Sequence, residues 1–398
     1  MANEISSTWV FASALCRSSN DLRVDNFDMH FIFGRRGMKA SLKSWVGGAL
    51  VLATLSLAGT AHAGVVKIPG VNAHAQNPTW SLDGKTLAVE MNTMGQDGIS
   101  MWFIPVGGDI AKVADIKRAA LPGSTGPYGK GQVVMNPSWH PDGLAVFEGS
   151  SAGGKFRLYF AMPSAPTAAQ MLDTSMAPGN LQFPVVAPNG SVMGYTSDQF
   201  GKGDVMTWDR NTGAIKQRTS TSNASEVFPQ FNNDGSKMLF TRKVDNAEAV
   251  FIVDLATGTE TQVVAEKGDQ TRPTYADGQI VYFTSERGTG KWDLARIDAD
   301  GSGKQILVTD VRLPERARPA VSPDGKYVAF VYNHPETWDS VRIMPVAGGV
   351  IKEIESDFNT CGEPALTKQD GQYVLAYTAL PAGDSDWRFL NIVKVSLP

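Results

Sequence analysis

The sequence has little cysteine, little histidine and no excess of basic residues. Of its 398 residues, 2 are cysteine and 5 are histidine, and 36 Lys and Arg stand against 40 Asp and Glu, a net charge of −4. Two cysteines exclude a disulfide-rich scaffold and a four-cysteine zinc site. The slight acidity argues against a protein that binds nucleic acid by neutralising phosphates. With 42% hydrophobic and 19% charged residues, the composition is that of a globular protein.

Long apolar runs are also scarce, and the clearest one lies near the N terminus. It covers residues 47–57, follows the basic residues Lys39 and Lys43, and precedes an Ala-His-Ala sequence that ends at Ala63. This order predicts a secretory signal peptide at 38–63, cleaved near Ala63. The run is too short to predict a stable membrane anchor. We therefore expect a periplasmic or secreted mature protein without a membrane span.

Residues 1–37 precede this signal and show no clear periodicity. We interpret them as the product of a misassigned start codon, with translation beginning at Met38, and a genuine leader that starts at Met1 is the alternative. Cleavage would leave a mature domain at 64–398 with Cys361 as its one cysteine. We expect Cys361 to be a small packed residue, because no histidine lies near it in sequence.

A short phrase recurs seven times in the mature chain. It consists of a proline, an aromatic or apolar residue two positions later, a turn that usually contains Asp-Gly or Asn-Gly, and an alternating apolar run. The prolines, which number the repeats from 1 to 7, are Pro78, Pro137, Pro184, Pro229, Pro273, Pro319 and Pro364. Apart from a longer first interval, they are spaced by about 45 residues, which is typical of one four-stranded β-propeller blade.

Each repeat predicts antiparallel strands. The Asp-Gly or Asn-Gly pair supplies the positive φ angles of a tight hairpin. Alternating runs such as 85–89 predict half-buried strands, and later runs such as 250–254 and 261–264 predict a third and a fourth strand. No segment of the mature chain shows convincing helical periodicity.

The two ends of the repeat array complement each other. Repeat 7 ends after its third strand, at 389–395, whereas 65–68 predicts a lone strand just before repeat 1. We therefore predict an all-β fold, a seven-bladed β-propeller of four-stranded antiparallel blades whose ring is closed by the N-terminal strand. Closure would remove the exposed sheet edges of an open array.

The repeat phrase resembles that of TolB-like, WD-type propellers. Residues 322–326 read Ser-Pro-Asp-Gly-Lys, the consensus turn, and 80–85 nearly match it. The resemblance covers roughly 65–398. It implies a propeller of the kind found in periplasmic envelope proteins, in lyases that act on pectic sugars and in gating domains of serine peptidases. We expect a lone propeller, because neither the α/β domain of TolB nor a peptidase domain is recognisable beside the repeats.

Several short motifs suggest chemistry but lack the context that the chemistry needs. Residues 149–153 fit G-x-S-x-G without a strand-to-helix turn, and Phe156 stands where a phosphate-binding loop needs Ser or Thr. The acidic turn at 298–303 lacks a glutamate at the twelfth position of a calcium loop, where Thr309 stands. We expect no catalytic residue and no cofactor.

A metal site is also not expected. The candidates His74, His140 and His334 cannot converge, because His140 occupies the turn end of its strand and the other two lie at the opposite end. Without a histidine cluster, the metal-dependent lyase chemistry that the resemblance offers is disfavoured.

The residues before the seven prolines are the candidate ligand-binding residues. They are Asn77, Asn136, Phe183, Phe228, Arg272, Arg318 and Glu363. Propeller topology places them at one mouth of the central channel, and loops on the same face add Arg242 and Arg287, together with Asp198, Glu286 and His334. We expect Arg272 and Arg318 to clamp a carboxylate beside an apolar wall of Phe183 and Phe228. An ordinary wet rim with neighbouring charges in salt bridges is the alternative.

The longer first interval contains a Gly- and Pro-rich segment at 122–131. Its position near the same mouth suggests a flap with Tyr128 and Lys130 at the tip, and a tolerated surface insertion is the alternative.

These observations favour an exported, non-catalytic propeller that binds a protein or peptide partner at its channel mouth in the cell envelope. We expect a monomer that does not bind nucleic acid. A carbohydrate- or lactone-processing lyase or hydrolase with its site in the channel is the alternative, with Glu363 and Glu286 as weak candidate acids. A purely structural ring is a third possibility.

Overall fold

The computed structural model describes twelve ranges of the chain. They are 64–66, 74–92, 98–107, 116–122, 132–151, 154–172, 178–245, 247–314, 317–334, 339–354, 358–381 and 389–397. Within them the fold is all-β and of propeller type, with one short 3₁₀ turn at Pro166–Ala168. The predicted leader, the signal peptide and the tip of the predicted flap lie outside the described residues.

Repeats 1 and 2 supply one sheet, which a lone strand precedes. In chain order the strands are β1 (Gly64–Val66), β2 (His74–Trp80), β3 (Thr86–Asn92), β4 (Ile99–Pro105), β5 (Lys117–Arg118), β6 (Gln132–Trp139), β7 (Ala145–Ser151), β8 (Arg157–Ala161) and β9 (Gln170–Met171). Strands β2 to β5 form one antiparallel set and β6 to β9 form the next. The two sets meet at one parallel pair, Ile99 with Val133.

Repeats 3 and 4 each form a separate four-stranded antiparallel sheet in sequential order. The strands of repeat 3 are β10 (Leu181–Val186), β11 (Val192–Ser197), β12 (Asp204–Asp209) and β13 (Ile215–Gln217). Those of repeat 4 are β14 (Ala224–Phe231), β15 (Lys237–Val244), β16 (Ala247–Asp254) and β17 (Glu260–Gln262).

Repeats 5 and 6 share a sheet. Repeat 5 supplies β18 (Gln270–Ala276), β19 (Gln279–Thr284), β20 (Trp292–Asp298) and β21 (Gln305–Val311). Repeat 6 supplies β22 (Ala320–Val321), β23 (Tyr327–Tyr332), β24 (Ser340–Pro345) and β25 (Lys352–Glu353). The two sets meet where Val311 of β21 pairs with Tyr332 of β23.

The last sheet joins the two ends of the described chain. Repeat 7 forms β26 (Phe358–Gln369), β27 (Gln372–Pro381) and β28 (Phe389–Val395), and the strand order is β1-β28-β27-β26. Strand β1 is antiparallel to β28, with Gly64 opposite Ile392. The strand predicted at 65–68 therefore begins one residue earlier, at Gly64, and Lys67 and Ile68 lie outside the described residues.

The other predicted strands agree with the structure to within a few residues. The strand predicted at 250–254 lies within β16, and the one predicted at 389–395 is β28. The strand predicted at 261–264 is β17, which ends at Gln262. Beyond it, the N–H of Val263 still donates to the carbonyl oxygen of Val250, and both Val263 and Val264 are buried in the core between repeats 4 and 5.

The repeat turn owes its shape to a serine, an aspartate and a glycine. In repeat 6 the Ser322 hydroxyl donates to Asp324 at 2.7 Å and accepts the backbone N–H of Tyr327 at 3.0 Å. Gly325 completes the turn with a φ of +70°, which a residue with a Cβ adopts only with strain. This turn confirms the positive φ predicted for the Asp-Gly pair.

The hydrophobic core lies between neighbouring sheets. Leu87, Val89 and Ile104 of repeat 1 are completely buried in one cluster with Leu390 and Ile392 of repeat 7. Burial of apolar surface is the main favourable contribution to folding, at about 25 cal/mol per Å². The first and last repeats are therefore held together by side-chain packing as well as by the pairing of β1 with β28.

Candidate functional site

The residue before the repeat proline has a left-handed backbone in six of the seven repeats within the described chain. These residues and their φ angles are Asn77 (48°), Asn136 (51°), Phe183 (52°), Phe228 (55°), Arg272 (53°) and Glu363 (33°). At each position the pairing between the first two strands of the repeat shifts register, which marks a β-bulge. Non-glycine residues rarely adopt positive φ, so the bulge is a specific feature of these repeats. It changes the direction in which the side chain points.

The exception is Arg318 in repeat 6. It precedes β22, which begins at Ala320, so Arg318 is not part of a strand ladder. Its side chain is therefore positioned by its own contacts rather than by a bulge.

Most of the bulges are fixed by an acceptor from a neighbouring repeat. The backbone N–H of Asn136 donates to Glu90 of repeat 1 at 2.8 Å, and that of Phe183 donates to Glu148 of repeat 2. The N–H of Asn77 donates to Glu363 of repeat 7. Glu90 and Glu148 are completely buried. The backbone donors of the next repeat give these buried carboxylates charge-assisted hydrogen bonds, which offset part of the cost of burying them.

The buried acids were not among the residues predicted from the sequence. A signal was available, because Glu90 and Glu148 each directly follow three apolar residues within a strand, β3 and β7 respectively. In repeat 4 the corresponding acceptor is a hydroxyl, since the N–H of Arg272 donates to Thr241 Oγ1 at 3.1 Å. Because the acceptor is a carboxylate in some repeats and a hydroxyl in another, an alignment of the repeats does not show that this position carries an acceptor.

A cavity with a volume of about 480 Å³ is lined by residues from every repeat. Five of the nine candidate residues line it, namely Asn77, Asn136, Phe183, Phe228 and Arg318. Its lining extends to Leu82, Pro188 and Pro323 in the repeat turns. These five candidates thus border a cavity whose lining reaches the repeat turns, whereas the sequence predicts them at the channel mouth near the strand starts.

A second cavity, of about 350 Å³, lies on the side of the strand starts. Glu363 lines it together with His74, Gln76 and Arg312. The carboxylate of Glu363 also accepts the backbone N–H of Asn77, so it has a structural role in addition to facing this cavity.

Arg272 and Arg318 lie on the same aromatic ring. The guanidinium carbon of Arg272 is 5.2 Å from the centroid of Phe228, and that of Arg318 is 5.9 Å from it. The ring of Phe183 is 5.0 Å from that of Phe228. Cations near an aromatic face are stabilised by the ring quadrupole. Both predicted arginines and both predicted aromatic residues are thus neighbours, although Arg272 does not line either cavity within the described residues.

The other two candidate arginines serve as ion-pair partners. Arg242 contacts the completely buried Glu226 at 2.7 Å, and it also pairs with Glu260. Arg287 contacts Asp293 and Asp310, and their carboxylates raise its pKa. The geometry of these two residues matches the alternative expected from the sequence, a rim whose neighbouring charges form salt bridges. Glu286 is likewise paired, with Lys304.

Each of the three histidines has its own surroundings. His140 Nε2 is 3.0 Å from the carbonyl oxygen of Gly190 and 2.9 Å from Arg210 Nη1, at the turns. His334 packs edge-on against Tyr332, and His74 lines the cavity at the strand starts. In the described part of the chain, no cluster of three or more His, Cys, Asp or Glu is arranged to hold a metal ion.

The remaining motifs fall in strands and turns. Residues 149–151 end β7, so the G-x-S-x-G sequence lies at a strand end and not at a strand-to-helix turn. The acidic sequence at 298–303 joins β20 to β21, where Asp300 accepts from the N–H and the hydroxyl of Ser302. Across the described ranges, no helix is long and apolar enough to cross a membrane.

Comparisons with known proteins agree with this architecture. Residues 129–309 and 181–375 match the profile of the TolB beta propeller domain. An uncharacterized protein of Agrobacterium fabrum is 27% identical over 227 residues, 55% of this chain and 74% of that protein. A protein TolB homolog of Chlorobium chlorochromatii is 28% identical over 142 residues, 36% of this chain and 31% of that protein. An oligogalacturonate lyase in complex with manganese superposes with a TM-score of 0.61 and 14% identity, covering 85% of this chain and 94% of that one.

Proposed function

Because the chain belongs to the TolB β-propeller family, we propose that it is an exported, non-catalytic binding propeller whose ligand enters the central channel. The ligand is a protein or peptide of the cell envelope. The step from family to function is an analogy. The geometry of the site is the observation that supports the proposed binding function.

The proposal includes a ring of seven blades closed by β1. Three contacts support it. Strand β1 pairs with β28, the indole N–H of Trp80 donates to the carbonyl of Ala365 at 3.1 Å, and the cores of repeats 1 and 7 are shared. A cavity lined by every repeat is what a central channel would produce. A closed ring also gives the site a rigid frame, which lowers the entropy lost on binding.

The observation that carries the binding function is the position of Arg318. It is a cation on the wall of a cavity that is otherwise lined largely by proline, aromatic and small residues. Binding sites typically combine a mostly apolar concave wall with a few placed polar groups. The cavity volume of about 480 Å³ falls within the usual range of about 300–1,000 Å³.

The alternative is a lyase or hydrolase that processes a carbohydrate or lactone in the channel. The fold it would share with oligogalacturonate lyase is the observation in its favour. The weak candidate acids speak against it, since Glu363 accepts the N–H of Asn77 and Glu286 pairs with Lys304. A general acid or base must be within hydrogen-bond reach of substrate, and these carboxylates already have partners.

The envelope location rests on the predicted signal peptide at 38–63 and on the relative named TolB homolog. Cell fractionation, with the N-terminal residue of the recovered protein determined by mass spectrometry, tests it. A chain beginning near Gly64 in the exported fraction supports the proposal, and an intact chain in the cytoplasm contradicts it. Size-exclusion chromatography of the same material tests the expected monomer.

Affinity capture tests the binding function. The full chain with a C-terminal tag is expressed as wild type, as Arg318→Ala and as Arg218→Ala, and each is used to capture partners from an envelope extract. Arg218 is the matched control because it is also partly buried and donates to a carbonyl, that of Leu255, but does not line the channel cavity. A partner lost only from Arg318→Ala supports the proposal, whereas a partner kept by all three places binding elsewhere. Absence of any partner, together with turnover of a pectic sugar, would favour the alternative.

A further inference from the structure

The hydrogen bonds of Arg318 leave part of its guanidinium available to the channel. Nη2 donates to the carbonyl oxygen of Pro229 at 2.7 Å, and Nη1 lies 3.4 Å from that of Pro273. An arginine carries five N–H donors in a planar fork. The remaining donors have no acceptor among the described residues, and the side chain lines the cavity. They are therefore positioned to meet a ligand there.

No carboxylate of the described chain lies within ion-pair distance of Arg318. Arg242 and Arg287, by contrast, are neutralised by Glu226 and Asp293. Arg318 instead has carbonyl dipoles and the ring of Phe228. A buried charge without a countercharge is energetically unfavourable, so an arriving anion gains more here than at a surface arginine.

A second guanidinium strengthens the local positive potential. Arg272 shares the Phe228 ring with Arg318. Burial, and to a smaller extent repulsion from Arg272, lowers the pKa of Arg318 to about 10. Arg318 is still protonated at neutral pH, so it presents to the cavity a positive charge with no carboxylate of the described chain within ion-pair distance.

We propose that the channel binds a carboxylate carried next to an apolar group, as at the C terminus of a peptide, with the carboxylate on Arg318 and the apolar group on Phe183 and Phe228. This inference rests on the proposed binding function and names its ligand. The planar fork of an arginine matches the two oxygens of a carboxylate, which form paired, charge-assisted hydrogen bonds.

The surroundings of Arg318 favour a singly charged group over a phosphate. Among the described residues that line this cavity, Arg318 is the one basic side chain. The adjacent walls consist of aromatic, proline and small polar residues. A phosphate carries up to two charges and three strong acceptor oxygens, which would need further cationic or N–H donors. The rings of Phe183 and Phe228, 5.0 Å apart, instead offer an apolar surface beside the anion site.

N-acetylphenylalanine and its C-terminal amide are a matched pair of probes that differ in the carboxylate. Binding to the full chain is measured by isothermal titration calorimetry. We expect the acid to bind at least about tenfold more tightly than the amide, as loss of one charge-assisted contact implies. Arg318→Ala should remove this preference, Arg318→Lys should retain part of it, and Arg218→Ala should leave it unchanged.

Circular dichroism of each variant establishes that it is folded, and Arg318→Met serves as a second variant if Arg318→Ala is not. Equal affinity for acid and amide, no binding of either at millimolar concentration, or a preference that survives in both Arg318→Ala and Arg318→Met would overturn the proposal. D-galacturonate and D-galactose distinguish the source of the carboxylate. Preference for galacturonate with no binding of N-acetylphenylalanine would also overturn it, because the apolar group would then have no role.

The outcome is separable from that of the proposed function. If Arg318 confers acid preference but affinity capture yields no partner, the carboxylate site stands and the protein-binding function fails. If a captured partner is lost from Arg318→Ala while acid and amide bind alike, the binding function stands and the carboxylate proposal fails.

Discussion

The backbone N–H of Asn136 in repeat 2 donates to the side chain of Glu90 in repeat 1, at 2.8 Å. The same carboxylate accepts the side-chain amide of Asn77 at 2.7 Å. One buried acid thus fixes residues of two successive repeats at the wall of the channel. The site geometry and the packing of the repeats depend on the same side chain.

Replacing Glu90 should therefore destabilise the fold. Glu90→Ala leaves buried N–H donors of Asn77 and Asn136 without an acceptor, and we expect a loss of about 3 kcal/mol in the free energy of unfolding. Glu90→Gln keeps one acceptor oxygen and should lose about 1 kcal/mol. Urea unfolding measures both. Glu353→Ala, at a more exposed ion pair with Arg342, is the control and should change the free energy by less than about 0.5 kcal/mol. Equal losses at the two sites would contradict this role.

Replacement by methionine should destabilise the protein much more at Arg242 than at Arg318. Arg242→Met leaves the completely buried Glu226 without its cation, so we expect a loss of about 3 kcal/mol. Arg318→Met removes a buried cation that has no carboxylate partner in the described chain and should change the free energy of unfolding by less than about 1 kcal/mol, in either direction. Denaturant titrations of both variants test the contrast. A large loss at Arg318 would indicate that it serves stability rather than binding.

Alanine substitutions at two turn glycines measure the cost of backbone strain with and without a steric clash. Gly278 and Gly325 have φ angles of +82° and +70°. A Cβ on Gly278 would meet nothing within 4 Å, whereas one on Gly325 would lie 2.6 Å from the backbone nitrogen of Asp277 in repeat 5. We expect a loss of about 1 kcal/mol for Gly278→Ala and about 3 kcal/mol for Gly325→Ala, by thermal or urea unfolding. Similar losses would show that the turns of neighbouring repeats are not in close contact.

Stability should depend on pH through Asp324. Burial raises its pKa, but hydrogen bonds from Ser322, Tyr373 and Lys368 lower it by more, so the folded pKa is well below the ordinary value. The folded state then binds this proton more weakly than the unfolded state. The contribution of Asp324 is present above about pH 4 and is lost as the pH falls through the folded pKa.

Asp324→Asn should consequently lose about 2 kcal/mol at pH 7, and the difference from wild type should shrink below about pH 4. Urea unfolding between about pH 2.5 and 7 measures it. Tyr373→Phe removes one donor to the carboxylate, at 2.8 Å, and a double-mutant cycle with Asp324→Asn gives the coupling energy. A difference that is independent of pH would contradict the assignment.

The proposed ring closure predicts a specific role for β1. A chain that begins at residue 67 lacks the partner of β28 and should expose that edge. We expect a lower unfolding midpoint and concentration-dependent association, measured by calorimetry and light scattering. Adding a peptide of residues 60–70 to the truncated chain should restore part of the lost unfolding temperature. An unchanged midpoint and a monomeric truncated chain would show that β1 is dispensable.

Much of the fold follows from local rules that a sequence displays. The Asp-Gly turns and alternating runs predict strands to within a few residues, because a hairpin and its half-buried strands depend on neighbouring residues. The bulges were not predicted, since Phe183 and Phe228 carry no local preference for positive φ. The N–H of Phe183 donates to Glu148 in another repeat, and such a long-range contact has no signature in the sequence around the bulge itself.

The candidate site was also predictable only where it depends on local sequence. Five of the seven residues before the prolines line one cavity, because repeats place equivalent residues at equivalent sites. Their role in binding a ligand stays a prediction. Residue type alone did not distinguish Arg318 from Arg242 and Arg287. That distinction depends on which carboxylates the fold brings within reach, and Glu226, Asp293 and Asp310 become partners only in three dimensions.

The pairing of β1 with β28 also affects how the protein is made. Strand β1 leaves the ribosome long before its partner β28, so the sheet of repeat 7 is incomplete until β28 has emerged. During that interval the backbone donors and acceptors of one strand edge have no partner, and chaperones or neighbouring nascent chains can compete for them. Slowing late elongation would lengthen this exposure.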